Sequence, residues 1–214
     1  MAKIRILLVE DHTVVRQGLR RVLEIDPEIE IVGEVGDGRA AIDAVRQLQP
    51  AVAIVDISLP HLNGIEVTRQ LAKVAPDTKV LILSMHADDG YVRQSLKAGA
   101  KGYLLKDADD HDLIKAVTVL AAGESCFSPA VSKILLEGYL QEGRDASDEL
   151  SVLSDREREV LQLIAEGKSN KEVAQVLDVA VSTVESHRKH VMEKLDLHNT
   201  AAIVRFAIRK GLIQ

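Results

Sequence analysis

The sequence predicts a two-part chain: a doubly wound α/β sheet of five parallel strands, then a small all-α domain of four helices. Three observations carry this. Short apolar runs, Ile4-Arg5-Ile6-Leu7-Leu8-Val9, Val52-Ala53-Ile54-Val55, Leu81-Ile82-Leu83 and Gly102-Tyr103-Leu104-Leu105, each end on a polar residue. Strands buried on both faces read as such near-continuous runs. Segments with apolar residues at helical spacing lie between them, and βαβα alternation argues for a parallel sheet covered on both sides. Beyond residue 150 the strand-like runs vanish, and two capping-box sequences open short helices instead.

Each element follows from its pattern. Ile4–Val9 predicts the first strand. Residues 13–25 place Val14, Val15, Leu19, Val22 and Leu23 on one side of a helix. Ile29-Glu30-Ile31-Val32-Gly33 reads as the second strand. Residues 38–48 form a helix with Ala40, Ala41, Ala44, Val45 and Leu48 inward, ended by Pro50. The third strand closes on Asp56. A helix runs from Asn63 to Ala75 before Pro76, another over 88–98 before Gly99, and a fifth from Asp110 to Ala122 before Gly123. Residues 128–141 predict one more helix, with Pro129 in its first turn. Gln141 to Glu149 is polar and charged and reads as a linker. Ser154-Asp155-Arg156-Glu157 and Ser169-Asn170-Lys171-Glu172 cap the next two helices. Residues 181–195 form a helix with Val184, His187, Val191 and Leu195 inward, and a last helix spans about Thr200 to Lys210. Two short helices joined by a tight turn within a small bundle suggest a helix-turn-helix. The expected boundaries are 1–124, 125–150 for the connecting helix and linker, and 151–214.

Composition bounds the rest. The 214 residues are 46% apolar but only 2% aromatic, so the core rests on Val, Ile, Leu and Ala. Formal charge is −6, unevenly spread: residues 151–214 hold 10 Lys+Arg against 9 Asp+Glu, leaving 17 against 24 for the remainder. An acidic first part suits a metal-binding pocket; a nearly neutral last part is weak support for nucleic acid. Cys126 is the only cysteine. No internal disulfide is possible, which agrees with a reducing cytoplasm. The N-terminus lacks the pattern of a signal peptide, and no apolar stretch approaches the about 20 residues that span a bilayer.

The strand ends carry the chemistry. In an open parallel sheet, the carboxyl ends of the strands form the ligand crevice. Glu10, Asp11, Asp56, Ser84 and Lys106 follow the ends of their runs and are expected to converge there. Clustered carboxylates without cysteine or a well-placed histidine suit a hard, oxygen-preferring cation, and Mg2+ is the usual one beside phosphate. With the repulsion between acids offset, Asp56 stays ionised and can act as a nucleophile through an aspartyl phosphate. Lys106 would pair with the phosphoryl group, and the Ser84 hydroxyl would donate a hydrogen bond to it.

Leu8-Val9-Glu10-Asp11-His12, Ile54-Val55-Asp56-Ile57-Ser58-Leu59-Pro60, Asn63-Gly64, Ser84-Met85-His86 and Gly99-Ala100-Lys101-Gly102-Tyr103-Leu104-Leu105-Lys106 resemble the receiver domain of two-component response regulators, over residues 1 to about 122. The resemblance implies a flavodoxin-like sheet. It implies a phosphoacceptor at Asp56, Mg2+ held by Glu10, Asp11, Asp56 and the backbone carbonyl of Ser58, a switch pair of Ser84 and Tyr103, and Lys106 as phosphate partner. Asp107 departs from the pattern, since many receivers carry Pro after the Lys, and it leaves the isomer of the Lys106–Asp107 peptide open. His12 and His86 border the crevice.

The last part has its own resemblance. Leu153-Ser154-x-Arg156-Glu157-x-Glu159-Val160-Leu161, Ala165-Glu166-Gly167-Lys168-Ser169-Asn170-Lys171-Glu172-Val173-Ala174 and Ser182-Thr183-Val184-Glu185-x-His187 are similar to the LuxR-type DNA-binding domain, over 151–213. With a receiver ahead of it, the chain resembles a response regulator of the NarL/FixJ type. A helix entering the major groove needs exposed residues that reach base edges and phosphates. On the 181–195 helix these are Ser182, Thr183, Glu185, Ser186, Arg188 and Lys189, with Met192 also outward. Lys168, Ser169, Asn170 and Lys171 open the preceding helix, where free N–H groups suit a phosphate. Glu185 stands where many relatives have a basic residue; Arg188 and Lys189 lie within helix-spaced reach of it. Ala180 stands where relatives often place a capping Ser.

The expected function is thus a phosphorylation-gated transcription regulator. A sensor histidine kinase would load Asp56, Tyr103 would swing inward, and the face of the fourth helix, fifth strand and fifth helix would dimerise or release the DNA-binding domain. The homodimer would bind paired half-sites on double-stranded DNA in the cytoplasm, with no membrane involved and no enzymatic turnover beyond the self-catalysed steps at Asp56. Two other readings stand beside it: a phosphatase-like hydrolase using Asp56, and a protein-interaction module without sequence-specific DNA binding.

Overall fold

In the computed structural model, residues 3–85, 88–140 and 149–213 are described; His86 and the linker stretch 141–148 lie outside them. The chain divides into two compact units, residues 1–141 and 142–214.

The first unit is a parallel sheet of order β2-β1-β3-β4-β5-β6. Its strands are β1 (Ile4–Val9), β2 (Ile29–Val35), β3 (Val52–Asp56), β4 (Lys79–Ser84), β5 (Gly102–Leu105) and β6 (Cys126–Phe127). Helices α1 (Thr13–Leu23), α2 (Gly38–Leu48), α3 (Gly64–Val74), α4 (Asp89–Ala98) and α5 (Asp110–Ala121) connect them, and α6 (Pro129–Leu140) follows. Side chains alternate across the sheet. Leu7, Val9, Ala53, Val55, Val80, Ile82 and Tyr103 pack with α2, α3, α4 and α6. Ile6, Leu8, Val52, Ile54, Leu81, Leu83 and Leu104 pack with α1 and α5. Both faces are covered, which is why the strands read as unbroken apolar runs.

Three expectations change. Among the described residues the sheet has six strands, not five. β6 is two residues long and pairs Gly102 with Cys126 and Tyr103 with Phe127, too short to leave a pattern. Residues 125–140 are not merely a connector, because α6 buries Val131 fully in the core of the first unit and packs Ile134 and Leu135 against it. On α1, Val14 is 84% and Val15 37% exposed. The first turn of α1 starts where the strands end and has no sheet beneath it, so helical spacing overstates its buried stripe.

The second unit holds α7 (Asp155–Ala165), α8 (Asn170–Leu177), α9 (Val181–Lys194) and α10 (Thr200–Arg209). Both expected capping boxes form, with Ser154 and Glu157 on α7 and Ser169 and Glu172 on α8. The bundle closes around Val160, Leu161, Leu163, Val173, Leu177, Val184, Val191, Ile203 and Phe206. Met192 is half-buried against this core rather than outward. Ala180 precedes α9 without any side-chain cap. No helix among the described residues is long and apolar enough to cross a membrane.

Candidate functional site

At the carboxyl end of the sheet, Glu10 and Asp56 are 2% and 5% exposed. Lys106 lies between them: its Nζ donates to Glu10 Oε2 at 2.8 Å and stands 3.0 Å from Asp56 Oδ2. Burial works against the ammonium, but the hydrogen bond to Glu10 and the charge of Asp56 outweigh it and hold its pKa above the ordinary lysine value. One cation thus faces two buried carboxylates. A third, Asp11, keeps Oδ1 buried without a hydrogen-bond partner; the ring Nδ1 of His12 is 2.8 Å away but not in hydrogen-bonding geometry. Ligand atoms of Glu10, Asp11 and His12 all lie within 4.8 Å of one another. Surplus negative charge and an orphaned carboxylate oxygen fit a hard divalent cation.

Local structure fixes these positions. Arg16 reaches back from α1 to donate to the Glu10 carbonyl and, at 3.5 Å, to that of Asp11. Its Nε also pairs with Glu34 at 3.5 Å. Asn63 caps α3, accepting from the Glu66 N–H. The start of α3 presses on the third strand: a Cβ on Gly64 would fall 2.0 Å from the Asp56 carbonyl oxygen. Only glycine allows that approach. The loop between, carrying Ser58, makes its turn at His61, a non-glycine residue at φ 65°. His61 Nδ1 hydrogen-bonds Asp37, which also caps α2. Burial would raise Asp37, yet His61 and the N–H groups of Ala40 and Arg39 hold it below the usual carboxylate range.

Ser84 and Tyr103 are both fully buried and share a side-chain hydrogen bond; burial still pushes the phenol up to about 12. Tyr103 therefore already stands inward, where an inward swing was expected. The Lys106–Asp107 peptide is trans, as are all described peptide bonds.

In the second unit, Lys171, Ser182, Glu185, Ser186 and Lys189 are exposed, along with the capping residue Ser169. Lys168, Asn170, Thr183 and Arg188 are half-buried. The expected pairs from Glu185 do not form. Lys189 pairs with Glu193 at 3.7 Å, and Arg188 donates to Asn170 Oδ1 at 3.1 Å and Thr200 Oγ1 at 2.7 Å. Ser169 spends its hydroxyl on Glu172, so it offers a phosphate little beyond its backbone.

Residues 6–118 match the response regulator receiver domain family, and residues 151–207 match the LuxR family of bacterial regulatory proteins. The chain is a two-component response regulator of the LuxR type. It is 39% identical to the oxygen regulatory protein NreC of Staphylococcus carnosus, over 98% of this chain and 99% of that protein. It is 37% identical to the transcriptional regulatory protein DegU of Brevibacillus brevis, over 99% and 96%. Among solved structures, RcsB from Salmonella enterica serovar Typhimurium, bound to promoter DNA in the presence of the phosphomimetic BeF3-, superposes with a TM-score of 0.61. That likeness covers 95% of this chain and 97% of that one at 28% identity.

This response regulator joins a receiver to a DNA-binding domain, the organisation of a transcription regulator. Members of the family act as phosphoacceptors rather than as classical enzymes. Receivers generally bind Mg2+ at their acidic pocket, and the carboxylates here fit it. Glu10, Asp11, Asp56, Ser84 and Lys106 were legible as strand-end residues, and Tyr103, inside β5, through the resemblance alone. Arg16, His61 and Thr200 were not. Arg16 acts on backbone carbonyls, His61 occupies a left-handed position nothing in its neighbours announces, and Thr200 matters only through a partner twelve residues away.

Proposed function

We propose that Asp56 accepts a phosphoryl group from the phosphohistidine of a sensor kinase, and that this gates DNA binding by residues 151–214. The reading rests on one observation above all: a buried Asp56 beside the Lys106 ammonium, at the strand ends where Asp11 keeps a buried carboxylate oxygen that accepts no hydrogen bond. An Asp56 carboxylate oxygen attacks phosphorus, the donor's P–N bond breaks, and its electron pair returns to the imidazole. Lys106 pairs with the phosphoryl oxygens. In a separate, later step, water attacks phosphorus, the Asp56 O–P bond breaks with its electron pair returning to the carboxylate, and inorganic phosphate leaves with the water's oxygen. The transfer and the hydrolysis are self-catalysed by this pocket. Glu10, Asp11, Asp56 and the Ser58 carbonyl would hold Mg2+, which screens the acids and the incoming phosphoryl charge.

The switch is the Ser84–Tyr103 pair. With a phosphoryl group present, the Ser84 hydroxyl donates to it while accepting from Tyr103, and so fixes Tyr103 inward. The receiver, taken as residues 1–124, then dimerises through the face of α4, β5 and α5 or frees the domain at 151–214 across the 125–150 connection. RcsB forms dimers on DNA, and a homodimer of this chain would read half-sites about one helical turn apart. Lys168, Asn170, Lys171 and the backbone at Ser169 meet phosphates; Ser182, Thr183, Glu185, Ser186 and Lys189 face the groove. The protein works in the cytoplasm, with its kinase and its DNA.

Mass spectrometry after treatment with a small phosphodonor tests the first step. Wild type gains one phosphoryl group in Mg2+ and none in chelator, and Asp56→Asn gains none in either. An equal gain on both proteins contradicts the assignment.

A further inference from the structure

We propose that Arg188 is a positioning residue of the recognition helix and not one of its DNA contacts. This rests on the DNA-binding reading above and assigns a different job to one of its candidate residues. Arg188 is half-buried, and its guanidinium lies where three helices meet. One amino group donates to Asn170 Oδ1 on the first residue of α8, at 3.1 Å, and the other to Thr200 Oγ1 on the first residue of α10, at 2.7 Å. Arg188 itself sits in the middle of α9. One planar fork therefore ties the starts of α8 and α10 to the helix that enters the groove.

Its chemistry suits that task. A guanidinium presents five donors in fixed directions, so two acceptors on different elements lock it in place. A lysine ammonium would reach one acceptor or the other but would not set an angle between them. Both acceptors are neutral, so the charge is not cancelled as it would be in an ion pair. It is the geometry that is used. By contrast, Lys189, one residue on, is exposed and loosely held at 3.7 Å from Glu193, as a phosphate-seeking cation should be. Glu185, one turn earlier, forms no ion pair among the described residues. With Arg188 turned away, nothing on its own helix neutralises it, and its carboxylate stays free to accept from a base edge.

The clamp also accounts for α9 lacking an N-terminal cap. Ala180 offers no side-chain hydrogen bond to the first turn, a feature that elsewhere costs about 1 kcal/mol of helix stability. α8 and α10 begin at proper caps, Ser169 and Asn199. The weakest-started of the three helices is thus the one tied to the starts of the other two.

The test uses the full chain and three variants: Arg188→Gln, Thr200→Val and the double variant. Affinity for a preferred duplex and for a random duplex is measured across a salt series. A clamp predicts that each single variant loses about ten-fold in discrimination between the duplexes, the size of one good base contact, because α9 docks at the wrong angle. The double variant should be no worse than either single one. The slope of log K against log salt should stay within half a unit of wild type. A phosphate contact predicts the opposite: Arg188→Gln lowers the slope by about 0.9, weakens both duplexes alike, and Thr200→Val does nothing. That pattern overturns the proposal, as does full discrimination in Thr200→Val. Thr200 is exposed, so its variant keeps its fold. A melting cycle on the same four proteins needs no DNA. Strongly non-additive shifts support the clamp and additive ones overturn it, even if the wild type binds no duplex and the DNA-binding reading itself falls.

Discussion

Glu10 and Glu157 are both buried acids, 2% and 4% exposed, and both hydrogen-bond a lysine. Their surroundings differ in one respect. Glu157 is saturated: its carboxylate accepts from Lys194 through both oxygens, at 3.0 and 2.7 Å, and from the Ser154 N–H and hydroxyl at 2.8 and 3.0 Å. Burial would raise its pKa, but the Lys194 and Ser154 contacts outweigh that and hold it below the usual carboxylate range. In the first unit, a single Lys106 is shared by Glu10 and Asp56, while a buried oxygen of Asp11 accepts no hydrogen bond and has the His12 ring nitrogen 2.8 Å away. Burial and a lysine partner are common to both places. The unfilled valence separates a binding pocket from a structural cap.

The largest expected effect breaks the pocket. Lys106→Ala leaves two buried carboxylates facing each other, and removing one partner of a buried pair costs about 3–5 kcal/mol. Calorimetry should show the receiver transition falling by that order, with added Mg2+ restoring part of it. The transition of the helical unit should not move with Mg2+ at all. A receiver that loses stability without any rescue by Mg2+ would mean the pocket does not take the cation.

Next in size is Glu157→Gln. A charged hydrogen bond of this type contributes about 1.5–3 kcal/mol. Because the folded pKa lies below the ordinary value, this contribution is present above the ordinary carboxylate range and is lost as pH falls through the lower, folded value. The wild-type helical unit should therefore lose stability on acidification, and the Gln variant should start lower at neutral pH and fall less. Parallel acid limbs in the two proteins would show that Glu157 is not the titrating group.

Glu185→Ala should not change either melting transition, since the carboxylate makes no hydrogen bond or ion pair among the described residues. Its effect belongs to DNA alone. Random-duplex binding should tighten, and discrimination should fall about ten-fold if it accepts from a cytosine amino group. Paired titrations at one salt concentration decide this, and equal tightening on both duplexes would remove Glu185 from the reading set.

The same contrast explains what the sequence revealed. In a parallel sheet buried on both faces, the last residue of a strand has only one place to go, so Asp56, Ser84 and Lys106 were legible from the ends of apolar runs. β6 was not, since two residues make no run. Val14 and Val15 misled because helical spacing does not say where the covering sheet stops. On α9 the spacing identified the buried stripe, with Val184 and Val191 buried as expected, although Met192, expected outward, packs against the core. It could not say whether Arg188 would turn to solvent or to Asn170 and Thr200. That choice depends on the starts of two other helices, 18 and 12 residues away along the chain. Groups fixed by the backbone can be read from sequence, whereas long side chains choose their partners in three dimensions.

The central claim is that charge added at Asp56 is felt by residues 151–214. The most direct test is the affinity of the full chain for its preferred duplex, with Mg2+ at one fixed salt concentration, before and after treatment with BeF3- or a small phosphodonor, in wild type and Asp56→Asn. The account predicts a gain of at least ten-fold in the wild type, equal to about 1.4 kcal/mol of coupling, and no change in Asp56→Asn. Wild-type affinity that stays the same after Asp56 is loaded, or an equal gain in both proteins, would contradict it.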